Sequence, residues 1–134
     1  MRKLVSLTAL ATGVLLLLVP RFILPACEYE GYPRMHCSDT ARAEYLVGAL
    51  LVAVGCMTFF AKSLKLPLIG AITAFILYGV AYQLPDSIGY CRSPRMPCTY
   101  GMVPAVRVIA VIGAVTMIVA VAGLVNLFRR KGNA

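Results

Sequence analysis

Four stretches of the chain carry no charged residue at all: residues 4–20, 45–61, 66–85 and 108–128, which are 17, 17, 20 and 21 residues long. Together they account for 75 of the 134 residues. A helix rises about 1.5 Å per residue, so roughly 20 residues cross a hydrocarbon core of about 30 Å, and each stretch reaches that length with its flanks. Within a bilayer every backbone amide and carbonyl must be paired inside the protein, which leaves helices and closed barrels as spanning structures. Barrel strands alternate apolar and polar residues over about ten positions. The run Val14-Leu15-Leu16-Leu17-Leu18-Val19 does not alternate. The sequence predicts an all-α, polytopic membrane protein: four transmembrane helices in a single domain over residues 1–134. A charged fraction of 13%, about half the roughly 25% of a soluble domain, agrees with this.

The formal net charge is +8. In a polar chain that would raise the question of nucleic acid. Its distribution answers otherwise. Arg2, Lys3, Lys62, Lys65, Arg129, Arg130 and Lys131 fall at one end of the predicted helices, seven cations with no acid. The other end holds Arg21, Arg34, Arg42, Arg92, Arg95 and Arg107 together with all five acids, Glu28, Glu30, Asp39, Glu44 and Asp86. The short Lys/Arg-dense ends favour a multi-pass protein of the cell inner (cytoplasmic) membrane, with both termini cytoplasmic and the two long loops extracytoplasmic. The expected partner of the basic end is an anionic leaflet of the lipid bilayer, and no nucleic acid is needed to explain it. Met1-Arg2-Lys3 and Leu24-Pro25-Ala26-Cys27 outline a lipoprotein signal peptide with Cys27 as the acylated residue. Pro25 beside the scissile bond and Arg21 before it argue for a retained first helix.

The loops contain an internal repeat. Pro33-Arg34-Met35-His36-Cys37 returns, offset by 61 residues, as Pro94-Arg95-Met96-Pro97-Cys98. Each copy is preceded by another cysteine, Cys27 or Cys91, and followed by a helix. The chain reads as two hairpins, residues 1–62 and 63–134, entering the membrane from the same side as parallel repeats. Small residues explain how such helices pack where lipid supplies no hydrophobic drive: Gly48 and Gly55, Gly70, Ala74 and Gly79, then Ala110, Gly113, Ala114, Ala120 and Gly123. Tyr78, Tyr82, Gln83 and Asn126 lie toward helix ends, where they are expected to anchor at the interface. Pro20, Pro25, Pro67, Pro85 and Pro104 mark helix ends. No ionisable residue lies in the middle of a predicted helix, so a self-contained pump or ion-coupled carrier is not expected.

Chemistry, where there is any, belongs to the loops. Four of the five cysteines lie there, Cys27, Cys37, Cys91 and Cys98, and an even number on an oxidising face suggests two disulfides with three connectivities open. Pairing within each loop closes the smallest rings and respects the repeat. Cys56, in the second helix, is expected to be a small buried apolar residue. Two other readings use the same residues. Four helices with a cysteine pair in each outer loop is the layout of the DsbB-like quinone-linked disulfide-forming enzymes. Those rely on Cys-x-x-Cys, however, and here nine and six residues separate the pairs, so structural disulfides are the expectation. The donors Met35, His36, Cys37, Met96, Cys98 and Met102 would suit copper as Cu(I), provided the cysteines are not oxidised. No cofactor is predicted; quinone or copper enters only under these alternatives.

Helix ends carry the remaining candidates. Asp39 or Thr40 is placed to cap the second helix, and Glu44 to meet its dipole in the first turn. Arg42 and Arg107 are placed to snorkel, or to pair with Glu44 and Asp86 across the hairpins.

Met35-His36-Cys37-Ser38-Asp39-Thr40-Ala41-Arg42-Ala43-Glu44, with Gly48 and Gly55 following, resembles the Met-x-Cys…Thr-x-x-Ala-Glu segment of a prokaryotic family of small four-helix membrane proteins of unknown function. Residues 96–105, Met-Pro-Cys-Thr-Tyr-Gly-Met-Val-Pro-Ala, resemble that family's second motif. Ser38 stands where the family tends to have His, and Met102 where it has Thr. The resemblance spans nearly the whole chain and carries no activity with it. It implies an accessory role beside a MacB-like ABC exporter. The expected role is therefore non-enzymatic: a subunit or partner in a larger membrane assembly, or a homo-oligomer, with Met35, His36, Thr40, Arg42, Glu44, Arg95, Met96 and Arg107 as candidate contact residues.

Overall fold

The computed structural model describes residues 2–23, 36–63, 65–89 and 98–133. Among them are four long helices and no strand: α1 (Arg2–Leu18), α2 (His36–Phe60), α3 (Lys65–Ile88) and α4 (Val103–Gly132). All four are long and apolar enough to cross a membrane, over Lys3–Phe22, Asp39–Phe60, Lys65–Ile88 and Thr99–Gly132. The protein is a small multi-pass membrane protein.

Polar contacts fix the direction of each helix. Ser6, near the start of α1, donates from Oγ to the carbonyl of Gly55, near the end of α2, at 2.9 Å. Thr40 at the start of α2 reaches the Gly89 carbonyl just past α3 at 2.8 Å. Arg107 at the start of α4 meets Asp86 at the end of α3. Successive helices are therefore antiparallel and form an up-down-up-down bundle. It has a terminal end, with Lys62 and Lys65, and a loop end, where residues 24–35 and 90–97 connect the helices.

Both connections border a widened turn. α1 passes into a π-helical turn at Val19–Ile23, and α4 is preceded by another at Cys98–Met102. Pro20 sits in the first; it has no amide hydrogen and its ring clashes with the carbonyl four residues back, which a wider turn relieves. Pro67 lies in the first turn of α3 and Pro104 at the start of α4, as the sequence predicts. Pro85 departs from the expectation, because α3 runs one more turn past it to Ile88. What ends α3 is Gly89, whose φ of 100° is the left-handed conformation that favours glycine, and whose amide donates back to the Pro85 carbonyl at 3.1 Å.

The core is built from Val5, Ala9, Leu16, Leu51, Ala71, Ala74, Tyr78, Val106, Met117 and Leu124, among others, all buried. α1 and α2 approach closely enough for their backbones to touch. A Cβ added to Gly13 would lie 2.9 Å from Val52 Cγ2 and 3.0 Å from the Gly48 carbonyl oxygen, and one added to Gly48 would lie 3.1 Å from the Gly13 carbonyl oxygen. Small residues thus do the packing the sequence predicts, although Gly13, the partner of Gly48, escaped the sequence reading. Gly79 corrects that reading in the other direction: it is exposed, with nothing within 4 Å of an added Cβ. Cys56 is likewise a free thiol on the outer face of α2, where a buried one was expected.

Candidate functional site

At mid-bundle the polar groups tie helices together. Thr12 on α1 donates its hydroxyl proton to the Thr8 carbonyl at 2.6 Å. A threonine hydroxyl has one proton, so in the contact between Thr12 and Tyr78 the tyrosine is the donor. Gly113 makes this reach possible, since a Cβ there would lie 2.5 Å from Tyr78 Cε1. One buried side chain thereby joins α3 to α1 across the face of α4. The sequence placed Tyr78 at the interface; the structure puts it in the core, 1% exposed, because its hydroxyl finds an acceptor inside the bundle.

The loop end gathers the candidate residues that are described. Thr40 and Glu44 stand on one face of α2, a helical turn apart, and both are buried. Neither Asp39 nor Thr40 serves as the cap that was expected. α2 begins at His36, so both lie inside it, and Thr40 is bonded to Gly89 on α3. The same early start carries Glu44 into the third turn, beyond the reach of the dipole effect. Of the two ion pairs considered, Arg107 with Asp86 is present, Nη2 to Oδ1 at 2.7 Å. The Arg107 guanidinium also lies 5.4 Å above the Tyr82 ring, one turn before Asp86 on α3. Each such contact at a partly exposed site is worth about 1 kcal/mol or less. The Arg107 Nε is buried without a partner.

Glu44 forms neither pair. Its side chain is wholly buried, and among the described residues neither carboxyl oxygen has a hydrogen-bond partner. Arg42, the other cation considered for it, points outward from α2. A buried polar group left unpaired costs about 1–3 kcal/mol, and an ionised one more. Among the described residues Glu44 and the Arg107 Nε are the buried side-chain groups without a partner, and the carboxyl is the costlier of the two.

Cys27, Met35, Cys91, Arg95 and Met96 lie outside the described residues, as do the side chains of His36, Cys37 and Cys98. The disulfide, copper and repeat readings rest on them. Among the described residues no group of three or more His, Cys, Asp or Glu side chains is placed to hold a metal ion. Gly89, Tyr78 and Gly13 were missed as organising residues. Gly89 had a signal, a glycine just past an apolar run. Tyr78 and Gly13 had none, because what singles them out is the residue opposite.

The family described as Domain of unknown function (DUF4418) matches residues 9–128. The chain belongs to that family. The match runs from within α1 to within α4, in keeping with a family of unknown function. No curated protein and no solved structure matches the chain.

Proposed function

We propose that this DUF4418 protein is a non-enzymatic membrane subunit that works in a larger membrane assembly, an ABC exporter being one such assembly. The observation that supports this reading is the use made of polar side chains inside the bundle. Ser6, Thr12, Thr40, Thr58 and Tyr78 all bond a backbone or side-chain partner within the fold. Ser6, Thr40 and the Thr12–Tyr78 pair tie one helix to another and Thr58 bonds within α2, a use of polar side chains that serves the fold. On this reading the connections 24–35 and 90–97 face outward from the cell, each closed by a disulfide, and present the Met-x-Cys motifs to the partner. Both termini then lie in the cytoplasm, and the two hairpins are copies of one ancestral unit.

Extraction in a mild detergent followed by mass spectrometry tests the proposal. A membrane protein co-purifying at fixed stoichiometry, with four loop cysteines fully oxidised and inert to dithiols, is the expected result. If the purified chain alone oxidises a dithiol to a disulfide, passing two electrons and two protons to a quinone, the subunit reading fails and the protein is an oxidoreductase.

A further inference from the structure

The seam between α3 and α4 is not closed. Three depressions follow one another along it. The first, at the terminal end, has a volume of about 570 Å³ and is lined by Lys65, Ile69, Val125 and Arg129. The second, of about 370 Å³, lies over Ala71, Phe75, Met117 and Ala122. The third, also about 370 Å³, shares Phe75 and opens over the exposed Gly79 toward Tyr82. From Lys65 to Phe75 is ten residues of helix, about 15 Å, half of a hydrocarbon core of about 30 Å. The first two depressions together therefore span one leaflet.

Two cations stand at the mouth of this groove, Lys65 from α3 and Arg129 from α4. No acidic side chain occurs in residues 1–27, 45–85 or 87–134, so none is available at this end to neutralise them. An anionic group from outside the chain would complement these cations, and a molecule that carries it together with an apolar tail would suit a channel one leaflet deep. A partner's apolar helix would satisfy the channel and leave the cations unmatched.

We infer that the α3–α4 groove is a binding site for a single anionic phospholipid, its phosphate held between Lys65 and Arg129 and an acyl chain lying along the seam as far as Phe75. Basic pockets between helices next to an acyl-sized channel recognise such headgroups by charge and such tails by shape. The site is independent of any protein partner at the loop end.

Native mass spectrometry of the full chain in detergent, with phosphatidylglycerol or phosphatidylcholine added, tests this. The wild-type chain should retain one phosphatidylglycerol in preference to phosphatidylcholine. Lys65→Gln with Arg129→Gln should weaken that retention about thirtyfold, at roughly 1 kcal/mol for each cation near an anionic headgroup. Lys62→Gln with Lys131→Gln removes the same charge from the same end and should leave it unchanged. Ala122→Phe, an exposed position that narrows the second depression, should expel the lipid with every cation in place. Equal loss in the two double variants would mean diffuse surface charge and overturn the site. Retention by Ala122→Phe, or a disulfide-linked dimer formed through Ile72→Cys on the groove wall, would also overturn it, the latter in favour of a second copy of the chain.

Discussion

The two hairpins solve the same packing problem differently. Between α1 and α2, Gly13 and Gly48 bring the backbones into contact, and Ser6 closes the terminal end with a bond to Gly55. Between α3 and α4, Gly79 faces away from the bundle, Gly113 receives the ring of Tyr78, and a groove remains along the outer face. The spans reflect this: 44% of the α1 window is buried inside the bundle against 28% for α4. A glycine in a membrane helix permits close approach, but a neighbour has to take up the permission. Where another glycine stands opposite, the helices close. Where an aromatic ring stands opposite, the ring fills the notch and the helix axes stay apart.

The largest effect is expected where the closed hairpin is forced open. Gly13→Leu places a side chain against the Gly48 carbonyl and Val52, and should lower stability by about 3 kcal/mol, read as thermal unfolding in detergent. Stability equal to wild type would show that the α1–α2 seam has slack, and the contrast between hairpins would be lost. Next comes the unpartnered carboxyl among the described residues of the closed hairpin. Glu44→Leu replaces an unpartnered buried carboxyl and should raise stability by about 2 kcal/mol; a lower midpoint would show that Glu44 holds the fold by a contact in its native setting.

Tyr78→Phe keeps the ring that props α3 from α4 and removes the proton donated to Thr12. A loss of about 1 kcal/mol is expected, in the range of hydrogen bonds between membrane helices. A much larger loss would mean that the bond, rather than the ring against Gly113, sets the geometry of the open hairpin. The smallest change belongs to Gly79→Ala. Nothing stands within 4 Å of the new methyl, so a gain of under about 1 kcal/mol from helix propensity is expected, and destabilisation would show that the groove closes in the membrane.

Much of the fold was legible because bilayer thickness and unpaired backbone groups leave few solutions for uncharged runs of this length. The division of charge between the two ends was legible for the same reason. The candidate site was legible only in part. Glu44, Thr40 and Arg107 were picked out as polar residues close to helix ends, and they do share the loop end; the pairing of Arg107 with Asp86 is as expected, whereas the roles of Thr40 and Glu44 were misjudged. Arg107 chose Asp86, Thr40 chose Gly89, and Glu44 was left with none. Which of several nearby groups is met depends on helix rotation and on where α2 begins, and a start at His36 places Asp39, Thr40 and Glu44 about a turn deeper in α2 than a cap at Asp39 or Thr40 would.

By itself, then, the sequence determined four helices long and apolar enough to span a membrane, the division of charge between their two ends, and which residues were small enough for close packing. Only the tertiary structure decided which glycines are covered and which lie open, that Tyr78 is a core residue, that Cys56 faces outward, and that Lys65 and Arg129 meet at the mouth of one groove. The physical reason is that composition and length act on each helix alone, whereas a contact belongs to two helices and depends on the angle each presents to the other.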